Sequence, residues 1–235
     1  MSEKQLTRRL AAVFATDVVG YSRMMGIDEA GTLQRMTAHI EGVFKPAIKN
    51  HNGQVVKTTG DGLLAEFSSA VDAVECAVKV QKQMSENGRD EPEDLRVIFR
   101  IGINLGDIII QDGDIFGEGV NIAARLEGLA DPGGICISAD VHTQVHSRMD
   151  VAFEDRGEQQ VKNISQPIRV YAINSGVVRA SVSSPQVKPN QHVEKASIAV
   201  LAFNNMSGDP EQEYFSDGIS EDIITGLACI KDLGV

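Results

Sequence analysis

Several common catalytic devices are missing from this chain. There is no GxxxxGK[ST] or GxGxxG run and no GxSxG elbow, so the usual nucleotide cradles and an esterase-type serine nucleophile are excluded. The three cysteines, Cys76, Cys136 and Cys229, are widely spaced and include no CxxC pair. That argues against a disulfide framework or a zinc cluster and for buried free thiols in a reducing compartment. No stretch approaches the ~20 apolar residues of a membrane span. Met1-Ser-Glu-Lys-Gln-Leu-Thr-Arg-Arg9 has no signal-peptide apolar region, so the expected location is cytoplasmic, with no membrane segment. Positive charge is also scarce: 22 Lys and Arg stand against 33 Asp and Glu, a net charge of −11. Such a surface argues against sequence-independent nucleic-acid binding, which relies on clustered basic residues. It leaves an anionic substrate open, because a bound divalent metal reverses the local field.

With 235 residues the chain has room for one full domain and part or all of another. Leu10–Val19 reads as a strand carrying an acid, Asp17, which must lie at the strand end or be paired. Gly20-Tyr21-Ser22 breaks the pattern, and backbone N–H groups at a strand-to-helix turn suit phosphate oxygens. Helical period runs from Asp28 to about Asn50, with a kink or early stop expected at Pro46. Gln54–Thr58 and Leu63–Phe67 then flank Gly60-Asp61-Gly62. This is a hairpin pattern, whose glycines are expected to supply the positive φ of a tight turn. A helix over Ala70–Glu86, capped by Ser68 or Ser69, leads to strands Val97–Ile103 and Asp107–Ile110, which Gly102 and Gly106 are expected to interrupt. Asp112-Gly113 signals a turn, and Val120–Leu129 a helix. After strand Ile135–Ser138 and helix Ala139–His146, the closing strands are expected at Val151–Asp155, Glu158–Lys162 and Ile168–Ile173. The order implies an α+β fold with a ferredoxin-like βαββαβ core and extra strands. Composition then shifts to Ser, Pro, Gln and Lys, giving domain limits of 8–174, a linker over 175–196, and an incomplete α/β domain over 197–235.

Five sets of residues could carry chemistry, and the three leading pairs have a plain structural reading beside them. Asp17 and Asp61 both sit where a strand meets a turn. Two such carboxylates suit hard divalent cations, or are a strand cap and a turn residue. Asn121 and Arg125 lie one helical turn apart, fit to orient a sugar and brace a phosphoryl group, or simply solvated. Lys57 and Asp114 offer a donor and an acceptor matching the N1 and N6 edge of adenine, or form a salt bridge. Lys162 is a late basic residue, and His142 and His146 stand at i, i+4 spacing without a third ligand.

Taken in order, Val13-Phe-Ala-Thr-Asp-Val-Val-Gly-Tyr-Ser22, Val56-Lys-Thr-Thr-Gly-Asp-Gly62, Asp114-Ile-Phe-Gly117, Val120-Asn-Ile-Ala-Ala-Arg125 and Val161-Lys-Asn-Ile164 resemble the catalytic domain of class III adenylate/guanylate cyclases, particularly the bacterial adenylate cyclase type. The resemblance implies conversion of ATP to 3′,5′-cyclic AMP and pyrophosphate, a phosphorus–oxygen lyase reaction. It implies that Asp17 and Asp61 hold two divalent cations, Mg²⁺ or Mn²⁺, and that Lys57 and Asp114 select adenine. Asn121 would orient the ribose, Arg125 brace the transition state, and Lys162 bind the triphosphate. Backbone amides of Val18, Val19, Gly20 and Tyr21 would cradle phosphate. It further implies a head-to-tail homodimer in which the metal carboxylates of one subunit meet the Asn and Arg of the other. The alternative is a catalytically silent nucleotide-binding regulatory or dimerisation module. Ile198-Ala-Val-Leu-Ala-Phe203, Ser207-Gly-Asp-Pro210 and Tyr214-Phe-Ser-Asp-Gly218 resemble the start of TolB N-terminal-like domains, which implies a regulatory partner for that segment.

Overall fold

Strand β1, Thr7–Val18, sorts its side chains by alternation. Ala12, Phe14 and Val18 enter the larger core, while Ala11, Val13 and Ala15 enter a second core on the opposite face. Asp17 continues that second row. β1 is central to its sheet, antiparallel to β3 (Gly62–Phe67) on one side and β4 (Phe99–Gln111) on the other. β2 (Gly53–Thr58) pairs with β3, so the first four strands lie in the order β2-β3-β1-β4, the ferredoxin-like arrangement. Short β5 (Asp114–Phe116) folds back on β4. β6 (Ile135–Ser138) lies parallel to β4, and β8 (Ile168–Ile173) and β7 (Phe153–Gln159) complete the sheet antiparallel. The result is the mixed α+β sheet that the element order implied.

The computed structural model describes residues 7–92, 95–161, 164 and 166–173, with 196–197 and 233–234. It divides into two units, Met1–Arg179 and Ala180–Val235. In the second, Ala196–Ser197 pairs in parallel with Leu233–Gly234; the rest of the linker and TolB-like expectations lie outside the described residues.

Helices α1 (Tyr21–Ile27), α2 (Glu29–His39), α3 (Lys45–Asn50), α4 (Ala70–Asn87) and α6 (Ala139–Val145) place Met24, Met36, Ile48, Val74 and Val141 in the larger core. Asp28 caps α2 by accepting the Gly31 N–H at 2.9 Å, and Ser69 caps α4 by accepting that of Asp72 at 3.3 Å. Pro46 does not stop the expected Asp28–Asn50 helix. A π-helical turn, Ile40–Phe44, widens the coil just before it and leaves proline in the first turn of α3, where its missing N–H costs little. Helix α5 (Glu118–Leu129) stands on the opposite face, with Ala123 in the second core and Leu126 in a third.

Three local expectations change. Gly102 and Gly106 do not interrupt a strand, because β4 runs unbroken through both. A Cβ at Gly102 would come 2.2 Å from the Ala123 carbonyl oxygen and the Glu127 nitrogen, so glycine lets α5 lie directly on β4. The two strands expected over Val151–Lys162 are one strand, β7, with a register irregularity between Asp155 and Glu158. In the Gly60-Asp61-Gly62 hairpin neither glycine has a positive φ. Positive φ occurs instead at Asp112 (53°) and Gly113 (82°), the two central residues of the β4–β5 turn.

Candidate active site

Register brings the first pair together. Asp17 stands opposite Gly62 on β3 and opposite Arg100 on β4. Asp61, one residue before Gly62, is tied to β1 by its carbonyl, which accepts the Val18 N–H at 2.8 Å. The approach is so close that a Cβ at Gly62 would fall 1.7 Å from the Thr16 carbonyl oxygen. That contact, not a left-handed turn, is why glycine stands there. Asp17 and Asp61 line one open cavity of about 280 Å³, with Lys57 and Thr59 on one side and Val120, Ala124 and Glu127 of α5 on the other.

Asp17 is paired. Arg100 Nε donates to its Oδ1 at 2.9 Å and Arg100 Nη2 donates to its Oδ2. Arg100 Nη1 reaches the Gly128 carbonyl at 3.4 Å, at the end of α5. The Asp17 side chain is 14% exposed and that of Arg100 26%, so the pair is shielded from the screening that weakens surface ion pairs. Glu127 is a third acid in the cavity. Burial pushes its carboxyl up to about 8, the Asp17 and Asp61 charges push the same way, and Arg100 opposes them. The Arg100 guanidinium thus faces two carboxylates, Asp17 and Asp61, with a third acid held largely protonated beside them.

That surplus tests the fit of a metal. Hard divalent cations take carboxylate oxygens, and Mg²⁺ is held by one or two protein carboxylates with the remaining positions left to water and substrate oxygens. Asp17 and Asp61 meet that description. Among the described residues no group of three or more His, Cys, Asp or Glu is placed to hold an ion, so the fit rests on the Asp17 and Asp61 pair. The residues fit.

Lys57 and Asp114 are brought together: Lys57 Nζ donates to Asp114 Oδ2 at 2.7 Å, and Asp114 Oδ1 accepts the Ile115 N–H at 2.8 Å. The hydrogen bond from Lys57 holds the Asp114 carboxyl below the usual carboxylate range. The Lys57 ammonium lies 5.6 Å from the centroid of the Phe116 ring. Asn121 and Arg125 are exposed on α5 and are not among the residues that line the cavity; their neighbours Val120, Ala124 and Glu127 do. Within one chain they are therefore not brought to the carboxylates.

The amide cradle is narrower than expected. The Val18 N–H goes to the Asp61 carbonyl and the Val19 N–H to that of Ile98, both at 2.8 Å, so these two amides brace the loop. Gly20 (φ 67°) and Tyr21, at the entry to α1, remain as candidates. Lys162 lies outside the described residues. The His142 and His146 pair belongs to aromatic packing: the His142 ring stacks on Tyr171 at 3.8 Å and meets Phe153 edge-on at 5.0 Å. Cys76 and Cys136 are buried, and burial pushes their thiols up to about 12 and about 11, which makes them poor nucleophiles. Sequence reasoning missed Arg100 and Glu127. A charge inside the apolar run Val97–Ile103 was the available signal for the first, since it demands a partner as Asp17 does.

Comparison with known proteins identifies the family of the domain. The sequence profile of the family described as "Adenylate and Guanylate cyclase catalytic domain" matches residues 3–175. "Putative adenylate cyclase 3" of Rhizobium meliloti (strain 1021) is 49% identical over 236 aligned positions, covering 100% of this chain and 40% of that protein. "Adenylate cyclase" of Streptomyces coelicolor is 31% identical over 135 residues, covering 57% of this chain and 34% of that protein. The chain thus spans well under half the length of these relatives. Among solved structures, an "Adenylate/Guanylate Cyclase/Hydrolase from Silicibacter pomeroyi" superposes with a TM-score of 0.66 at 47% identity, covering 71% of this chain and 97% of that one. The adenylyl cyclase CyaB from P. aeruginosa shares the fold, with a TM-score of 0.62 at 24% identity over 72% of this chain and 96% of that one. Residues 3–175 of the chain are a class III cyclase domain, and the chain belongs to the adenylate and guanylate cyclase catalytic domain family.

Proposed function

We propose that this domain is an adenylate cyclase that converts ATP to 3′,5′-cyclic AMP and pyrophosphate. The observation that carries the reading is the convergence of Asp17 and Asp61 on one cavity. Two divalent cations, Mg²⁺ or Mn²⁺, would supply Lewis-acid polarisation of the α-phosphate and a more acidic ribose 3′-hydroxyl when held by these carboxylates. The chain's own residues then orient and select. Lys57 donates toward N1 of adenine and Asp114 accepts from its N6 amino group, each exchanging the other for the base edge. A guanine edge presents the opposite polarity, so both groups would be left unpaired against GTP. The names carried by the Rhizobium and Streptomyces relatives favour ATP as well.

Asn121 orients the ribose and Arg125 neutralises charge on the phosphoryl group being displaced. Because both are exposed on α5 and apart from the cavity of their own chain, they act on a second copy in a head-to-tail homodimer. Gly20, Tyr21 and Lys162 hold the phosphates. No helix among the described residues is long and apolar enough to cross a membrane.

The test is incubation with ATP and Mn²⁺ or Mg²⁺, with the product identified chromatographically. Cyclic AMP is the expected product; ATP binding by a dimeric preparation without any cyclic AMP would leave only the silent nucleotide-binding module. Lys57→Ala is expected to lower kcat/KM for ATP by ~10- to 100-fold and to shrink the preference for ATP over GTP. An unchanged ratio would remove Lys57 from base selection.

A further inference from the structure

Recognition of a base edge by Lys57 asks for direction as well as charge. An ammonium on a flexible four-carbon stem turns its donors freely, and a partly exposed ion pair restrains it weakly. The Lys57 side chain is 44% exposed and that of its partner Asp114 30%. The carboxylate takes one side of the ammonium at 2.7 Å. The aim of the remaining N–H donors needs a second restraint.

Strand β5 supplies one. Ile115 is buried in the second core, so alternation turns Asp114 and Phe116 together to the other face of the strand. Phe116 is 45% exposed and belongs to none of the three apolar cores of the described residues. A ring left so far in water contributes little to the fold. The Lys57 ammonium lies over it, 5.6 Å from the centroid, where the negative face of an aromatic ring attracts a cation. The carboxylate and the ring together narrow the directions open to the free donors. When Asp114 turns to the N6 amino group of a base, the ring keeps its hold, because it has no hydrogen bond to exchange.

We propose that Phe116 is a positioning residue for base recognition, its ring holding the Lys57 ammonium toward N1 of adenine. This rests on the reading of Lys57 and Asp114 as the adenine-selecting pair. Phe116 acts through Lys57 and touches no reacting atom.

The experiment measures turnover of ATP and of 1-deaza-ATP, which keeps the N6 amino group but carries carbon in place of N1. Wild type is expected to prefer ATP about tenfold in kcat/KM, because the analogue leaves Lys57 without its acceptor. Phe116→Leu is expected to raise KM for ATP about threefold with kcat changed less than twofold. Its KM for 1-deaza-ATP should rise less than about 1.5-fold, since no acceptor is left to aim at. An equal penalty on both nucleotides would overturn the proposal, because general damage or a lost subunit contact predicts it, and so would no change in either. Replacing Phe116 by 3,4,5-trifluorophenylalanine keeps the shape of the ring and weakens its negative face. The same selective rise in KM is expected, and this variant decides the matter if the leucine variant unfolds or fails to dimerise; wild-type behaviour would refute the cation–ring contact. Phe116→Tyr, which keeps that face, should stay within about 1.5-fold of wild type, and a loss as large as that of Phe116→Leu would count against it. The two claims separate cleanly. If wild type uses ATP and 1-deaza-ATP alike, the adenine reading of Lys57 itself fails. If Lys57→Ala abolishes a preference that the Phe116 variants leave intact, only the role of the ring fails.

Discussion

Asp61→Asn is expected to lower kcat for cyclic AMP formation by at least ~10³-fold, about 4 kcal/mol of transition-state stabilisation. Asparagine keeps the shape of the side chain and one oxygen but removes the charge that a divalent cation needs. The fold should be spared. Asp61 is anchored through its backbone carbonyl, which accepts the Val18 N–H at 2.8 Å, and that bond does not involve the side chain. The melting temperature should therefore stay within a few degrees of wild type while turnover is lost. Rates at saturating ATP across a Mn²⁺ series, with thermal unfolding in parallel, check both halves. Activity within tenfold of wild type would show that Asp61 is a turn residue and no more.

Gly62→Ala is expected to be the most damaging single methyl group at the site. The added Cβ would lie 1.7 Å from the Thr16 oxygen, 2.6 Å from its carbonyl carbon and 3.0 Å from the Asp17 Cα. All three are backbone atoms of the central strand, so no side chain can swing away to make room. β1 and β3 must separate at the point where Asp17 and Asp61 are held together. Overpacking of this kind costs ~3 kcal/mol or more, which for a domain of this size lowers Tm by roughly 10 °C. The neighbouring glycine is the control. Nothing lies within 4 Å of a Cβ at Gly60 and its φ is not positive, so Gly60→Ala should change stability by less than ~0.5 kcal/mol. Equal losses at the two positions would refute the close-approach explanation.

These two positions also show what could be read in the sequence and what could not. The turn was legible from Gly60-Asp61-Gly62 between two β-prone runs, and so was the acid at its tip. The reason for the second glycine was not, because it depends on a strand some 45 residues away, and only register places Gly62 against Asp17. Gly102 was misread in the same way: it looked like a strand breaker but is the seat of α5 on β4. Pro46 was read as a kink or early stop, and the helix instead carries a π-helical turn just ahead of it. Asp17 could be singled out because a charge in a buried run demands an explanation. Arg100 carried the same signal at the start of the next strand but was passed over as part of an apolar run. Glu127 was overshadowed by Asn121 and Arg125 on the same helix. The helical period separates them, setting Val120, Ala124 and Glu127 on the cavity side and leaving Asn121 and Arg125 exposed. Pairing across strands and the division of one helix between two faces are tertiary facts that local pattern does not encode.

That division of α5 leads to the central claim, that the carboxylates of one copy work with the arginine of another. Asp61→Asn and Arg125→Ala proteins, each inactive alone, should be mixed in equal amounts, allowed to exchange subunits, and assayed for cyclic AMP. In a two-fold dimer half of the mixed population is heterodimeric, and each heterodimer contains one site with an intact Asp61 and an intact Arg125, so about one quarter of wild-type activity should return. No recovery, with subunit exchange verified independently, would contradict a site shared between copies and require Arg125 to act within its own chain.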